Sequence, residues 1–336
     1  MNNPSRTEKN AKVSSRSHPP SQIPEKCRIQ TMSAIANDRN PCYTVSIRGA
    51  TCTGRRSGKE SWNSLMNNTS SHRIMTRCDC HLHTDNSFDS ETPAEQQAER
   101  ARALGIRVIA LTDHCDILEW SDARIARSNA QAAELNRRYD DLTVLRGIEL
   151  GQPLQDLPET ERALALCEYD FVLCSLHNIR GEEDFYYLHP DEAQARVLIR
   201  RYFDELMETV EWGQFDSLAH FTYPLRYIVG RDGVPVDMTP FQPIIRRILT
   251  NLAAKGKALE INTSGLRSPD GFLLPTVEYI RLFRELGGKY ITLGSDAHSP
   301  EQVAVGMTEG ISAARQAGFT CATVFINRQP VRIPFE

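Results

Sequence analysis

The residues best equipped for chemistry in this 336-residue chain are its histidines. His81 and His83 stand two apart, directly after a short apolar run that reads as a strand. In an extended strand, residues i and i+2 project from one face, so two imidazoles leave one strand end together, as two ligands of a single metal ion must. A lone His-x-His arises by chance in a chain with nine histidines. Here the pattern recurs: later apolar runs end in Asp113-His114, Glu149, His177, His220, Asn262, and Asp296 with His298. Imidazole and carboxylate ligands suit Zn²⁺, Mn²⁺ or Fe²⁺ better than Ca²⁺ or Mg²⁺, which favour all-oxygen shells. Six histidines with Glu149, Asp296 and Asp89 exceed the needs of one ion and suffice for two or three if a carboxylate bridges. Taken singly, each histidine reads as well as a satisfied core or loop residue, and His18, His72 and His189, which lie off the pattern, are read that way. Six at successive strand ends are read as a site.

The elements that must position them alternate. Strands are expected over 77–80, 108–112, 143–148, 171–176, 217–219, 258–261 and 290–293, and helices over 93–104, 122–138, 158–167, 191–211, 240–255, 274–286 and 301–317. Thr92-Pro93 looks like a helix N-cap followed by Pro in the first turn, and Gly105, Gly256 and Gly318 look like helix stops. Alternation of this kind means parallel βα units. A doubly wound sheet concentrates its chemistry at one switch point. Only a closed barrel brings the C-terminal ends of all its strands around one mouth, so a TIM-like α/β barrel is the expected fold.

Charge divides the chain in two. Residues 1–74 hold twelve Lys/Arg against four Asp/Glu, whereas 75–336 hold 27 against 39. The first stretch, rich in Ser, Asn, Arg and Pro without apolar periodicity, has the composition of a disordered basic extension. An organelle transit peptide, or translation starting at Met75, are the other readings of it; no apolar core of a secretory signal is present. The acidic second stretch (75–336) is the expected catalytic domain and a poor nucleic-acid groove. Nine cysteines without a CxxC pair read as reduced thiols of a cytoplasmic protein; Cys80, pointing away from His81, is expected in the core. No run is long and apolar enough to span a membrane.

Six stretches carry a resemblance: Asp79-Cys80-His81-Leu82-His83-Thr84, Leu111-Thr112-Asp113-His114, Gly147-Ile148-Glu149-Leu150-Gly151, Ser175-Leu176-His177, Ala219-His220 and Gly294-Ser295-Asp296-Ala297-His298. Together they resemble the PHP (polymerase and histidinol phosphatase) superfamily. The resemblance implies a distorted seven-stranded (β/α) barrel with a trinuclear metal site. His81, His83, Glu149 and Asp296 would hold the first ion. Glu149 would bridge to a second held by His177 and His220. His114, His298 and Asp89 would hold the third, with Asp85 the alternative acid; the family often has His there, so Asp is a departure. Asp113 is either an acceptor orienting a ligand imidazole or a helix N-cap.

Arg226 and Arg267 each follow a strand end by a few residues, in His220-Phe221-Thr222-Tyr223-Pro224-Leu225-Arg226 and Glu260-Ile261-Asn262-Thr263-Ser264-Gly265-Leu266-Arg267. A guanidinium fork suits a terminal phosphate, and both stretches resemble the monofunctional histidinol-phosphatase branch. That resemblance implies hydrolysis of L-histidinol phosphate in histidine biosynthesis by a metal-activated hydroxide, with Glu149, Asp296, Arg226 and Arg267 catalytic and Asn262 joining the arginines as a substrate contact. Phe185, Tyr186 and Tyr187 offer rings for an imidazole and Asp116 or Glu119 a carboxylate for an ammonium, though ordinary packing and surface charge explain these five better. The alternative within the family is a phosphoesterase for nucleotides, oligonucleotides or other small monoesters; outside it, a metal-binding scaffold. The expected partner is a small phosphate monoester, with no nucleic acid and no membrane; oligomeric state and the native metal are left open.

Overall fold

The computed structural model describes residues 77–335 apart from 118, 269 and 270; the expectations for 1–74 lie outside the described residues. Seven apolar runs become strands because nearly every side chain in them is buried, as a parallel sheet covered on both faces requires. They are β1 (Cys78–Leu82), β2 (Val108–Leu111), β4 (Thr143–Gly151), β5 (Phe171–Ser175), β6 (Ser217–Leu218), β7 (Ala258–Asn262) and β8 (Ile291–Gly294), all parallel and hydrogen-bonded in that order. Leu82 bridges to Ala297, and the His83 amide donates to the Ala297 carbonyl at 2.9 Å, bringing β8 back to β1 and nearly closing the barrel. Cys78 and Cys80 are buried in the core.

An additional short strand, β3 (His114–Asp116), was not apparent from the apolar pattern. It continues β2 after a break at Thr112-Asp113 and pairs with the second half of β4, while β2 pairs with the first. At the break the backbones come so close that a Cβ on Gly147 would lie 2.5 Å from the Leu111 carbonyl oxygen. The break is the distortion that turns His114 into the mouth.

Helices cover the outside: α1 (Ala94–Ala103), α2 (Asp122–Arg138), α3 (Leu157–Leu166), α4 (Glu192–Trp212), α5 (Tyr223–Ile228), α6 (Gln242–Ala254), α7 (Val277–Glu285) and α8 (Met307–Gln316). Their inner faces follow the helical period, as Ile244, Ile245, Ile248, Leu249 and Leu252 of α6 show. Two expectations are corrected. Thr92 does not cap α1; its hydroxyl donates to the His298 carbonyl at 2.9 Å. The helix expected over 301–317 begins only at Met307, because Asp79 takes the Ala304 amide at 3.0 Å and Ala304 and Gly306 turn left-handed.

A C-terminal hairpin, β9 (Cys321–Ile326) and β10 (Gln329–Pro334), also escaped the pattern. Its turn residues, Asn327 and Arg328, have φ of 49° and 64°, as a two-residue hairpin turn of matching twist requires. The Arg328 amide donates to the Asp170 carbonyl at 2.8 Å and its side chain pairs with Asp216. Asp170 and Asp216 immediately precede β5 and β6, so the hairpin closes the barrel end opposite the histidines.

Candidate metal centre

Glu149, at the seventh position of β4, is fully buried and stands at the middle of the mouth. Its Oε1 lies 2.9 Å from His220 Nε2 and 3.2 Å from His177 Nε2. Its Oε2 lies 3.0 Å from His114 Nδ1, 3.4 Å from His81 Nε2 and 3.5 Å from His83 Nε2. One carboxylate thus faces two groups of imidazoles. Asp296 joins on the β8 side, with Oδ1 at 3.4 Å from His83 Nε2 and 3.7 Å from His81 Nε2. Asp89, rather than Asp85, reaches the outer pair: its Oδ2 is 3.0 Å from His298 Nε2 and 3.5 Å from His114 Nε2. Asp85 instead pairs with Arg127 at 3.3 Å. His220 and Asp296 hold left-handed backbone, φ 41° and 55°, which costs a non-glycine residue energy and aims both side chains inward.

The Nδ1 atoms explain the orientation. His81 Nδ1 donates to Glu260 Oε1 at 2.7 Å, His177 Nδ1 to Asp116 Oδ1 at 3.1 Å, and His298 Nδ1 to the Asp296 carbonyl at 3.1 Å. His83 Nδ1 donates to Ser87 Oγ at 3.0 Å, whose hydroxyl passes on to Asp113 Oδ1 at 2.8 Å. With Nδ1 protonated, Nε2 carries a lone pair. Asp113 is therefore an orienting acceptor acting through a serine, and not a helix cap, since β3 follows it. It also takes the Thr84 amide at 2.6 Å and the Ser128 hydroxyl at 2.5 Å.

The imidazole Nε2 atoms converge on one another. His81 Nε2 and His83 Nε2 are 3.0 Å apart, and His177 Nε2 and His220 Nε2 3.2 Å. Buried Glu149 Oε2 and His114 Nδ1 have no hydrogen-bond partner: despite their 3.0 Å separation, their alignment does not make a bond. Facing lone pairs and orphaned buried acceptors fit cations. Three overlapping groups could hold them: His81, His83 and Glu149; His114, Glu149 and His177; and His83, Asp89, His114 and His298. Without a cation only protons can offset the acids. Burial disfavours charge on His81, but Glu260, Glu149 and Asp296 outweigh it and hold its imidazole well above the usual range. Burial likewise opposes ionised Glu149, yet His81, His177 and His114 hold it well below the usual carboxylate range.

A cavity of about 280 Å³ opens on this centre, lined also by Tyr186, Tyr223, Arg226, Tyr227, Arg267 and Gln302. Arg226 Nη1 donates to Ser264 Oγ at 3.0 Å and approaches Asp296 Oδ2 at 3.4 Å. Arg267 is held by the carbonyls of Ser295 and Asp296. Asn262 is fully buried, its Nδ2 3.2 Å from Glu260 Oε2 and 3.4 Å from Asp296 Oδ2, and its Oδ1 accepting the Ser264 amide at 2.9 Å. Asp116, committed to His177, is not free for an ammonium, Phe185 is buried in the core, and Glu119 is exposed. Of the three aromatic candidates Tyr186 lines the cavity. Glu260 and Ser87 were missed; a lone acid in an otherwise uncharged buried strand was the available signal for Glu260.

Fold and site together define a βα barrel with a histidine–carboxylate metal-binding mouth. The chain belongs to the PHP domain family, whose model matches residues 79–264. It is 28% identical over 242 residues to a probable histidinol-phosphatase of Thermotoga maritima, covering 72% of this chain and 92% of that one. It is 28% identical over 254 residues to the histidinol-phosphatase of Lactococcus lactis, covering 73% and 93%. The crystal structure of the L. lactis histidinol phosphate phosphatase, complexed with Zn, L-histidinol and phosphate, superposes with a TM-score of 0.66 at 26% identity, over 76% of this chain and 99% of that one.

Proposed function

We propose that this chain is a metal-dependent phosphomonoesterase that hydrolyses L-histidinol phosphate to L-histidinol and phosphate. The observation that carries the reaction class is the placement of two half-buried guanidinium groups, Arg226 and Arg267, on the wall of the same cavity as the histidine–carboxylate cluster. The curated relatives and the zinc, histidinol and phosphate complex support the substrate.

His81, His83, Glu149 and Asp296 would hold one divalent cation, Glu149 with His177 and His220 would hold a second, and His114, His298 and Asp89 a third; Zn²⁺, Mn²⁺ and Fe²⁺ all suit these donors. When bound, such cations acidify water and neutralise phosphate charge. The protein's part is to bind and orient. Arg226 and Arg267 take the phosphate oxygens, each keeping N–H donors beyond those already engaged, and counter the charge that grows in the transition state. Asn262 and Arg226 hold Oδ2 of Asp296, leaving Oδ1 toward the imidazoles. Nδ1 acceptors on four histidines keep Nε2 inward. The net acidity of 75–336 and the small cavity favour a small monoester over a nucleic-acid strand in a cytoplasmic setting.

Substrate preference tests this reading. Among L-histidinol phosphate, nucleoside monophosphates, sugar phosphates and short RNA, kcat/KM is highest for histidinol phosphate. A preference for nucleotides or RNA would move the chain to another activity within the family.

A further inference from the structure

Glu260 is a fully buried carboxylate in the middle of β7, whose other residues are Ala, Leu, Ile and Asn. Its Oε1 is 2.7 Å from His81 Nδ1, and its Oε2 accepts from Asn262 Nδ2 at 3.2 Å. Among the described residues no lysine or arginine forms an ion pair with it; His81 is its ion-pairing partner. The neighbouring strand, β8, makes room for the pair. A Cβ on Gly294 would fall 2.3 Å from Glu260 Oε1 and 2.6 Å from His81 Cβ.

A buried carboxylate is costly, and replacing a buried ion pair by neutral groups of like volume is often neutral or stabilising. Fold stability is therefore a poor reason for an acid at this position. What a carboxylate does there is hold the Nδ1–H tautomer of His81, aim Nε2 at Glu149 and Asp296, and add electron density to the ring. His83 and His298, by contrast, lean on a hydroxyl and a backbone carbonyl. We infer that Glu260 is a positioning residue of the metal centre, which sets the affinity of the cation held by His81 through the imidazole and never touches that cation. This rests on the reading of His81 as a metal ligand.

The full-length protein is stripped of metal and titrated with Zn²⁺ against a chromophoric chelator, with unfolding of the metal-free form followed in parallel. Glu260→Gln keeps the size and removes the charge. It weakens one Zn²⁺-binding step by about 10–100-fold, the range for orienting partners of ligand histidines, and leaves the other steps unchanged, whatever the variant costs the metal-free fold by breaking a buried pair. Glu260→Asp, which keeps the charge but shortens the carboxylate's reach to His81 Nδ1, weakens the same step and serves if Glu260→Gln does not fold. Wild-type affinity at every step in either variant overturns the inference, as does a lowered midpoint with affinities intact. No Zn²⁺ uptake by the unaltered protein would overturn the metal reading itself, and this inference with it.

Discussion

The guanidinium of Arg267 donates to the main chain of a ligand loop: Nη1 to the Ser295 carbonyl at 2.8 Å and Nη2 to the Asp296 carbonyl at 3.0 Å. Asp296 sits there in left-handed backbone, φ 55°. One side chain thus lines the cavity and also clamps the turn that presents Asp296. Hydrogen bonds from charged groups contribute about 1.5–3 kcal/mol each, so Arg267→Ala is expected to lower kcat/KM by about 10²-fold. Arg267→Lys restores little, because an ammonium cannot reproduce the fork. Steady-state kinetics with metal analysis checks both.

Glu149 faces both groups of imidazoles, so Glu149→Gln disturbs more than one cation. Breaking a buried charged network costs the fold about 3–5 kcal/mol, and with the cations disturbed kcat falls by about 10²-fold or more. Metal content per chain falls together with kcat. Loss of activity at full metal content would assign Glu149 a different role.

Cation uptake is expected to release protons. Despite burial, which disfavours charge, the acids around them hold His81, His114 and His177 well above the usual imidazole range in the metal-free state. A cation must displace those protons, so Zn²⁺ affinity rises with pH and falls as the imidazoles protonate. Calorimetric titration in buffers of different ionisation enthalpy measures the protons released. The filled site also stabilises the fold, by about 4 kcal/mol at a thousandfold excess of free ion over Kd, which chelator reverses.

Stability and chemistry separate at the two ends of the barrel. Arg328 and Asp216 join the C-terminal hairpin to the end opposite the mouth. Arg328→Ala is expected to cost about 1–3 kcal/mol by removing the guanidinium that pairs with buried Asp216 while kcat/KM below the unfolding transition stays unchanged. Chemical denaturation and kinetics on one preparation distinguish the two effects.

The strand ends were legible because burial on both faces writes parallel strands as apolar runs, and a histidine or acid closing each run stands out. The break between β2 and β3 was not, because it depends on the approach of Leu111 to Gly147 across strands. The hairpin lacks the Asn-Gly or Asp-Gly signature; Asn327-Arg328 is held left-handed by Asp170 and Asp216, far away in sequence. Thr92 misled because it has a plausible local role as a helix cap and is claimed by a partner distant in sequence, the His298 carbonyl. The pairing of Asp116 with His177 was not legible because the two lie sixty-one residues apart.

Phosphate release from L-histidinol phosphate by metal-loaded and chelator-stripped protein is the most direct measurement. Rapid turnover that disappears on stripping and returns with Zn²⁺ or Mn²⁺ is the expected result. Equal rates with and without metal, or no release from this substrate by fully loaded protein, would contradict the assignment of the centre as a metal-dependent histidinol-phosphate hydrolase.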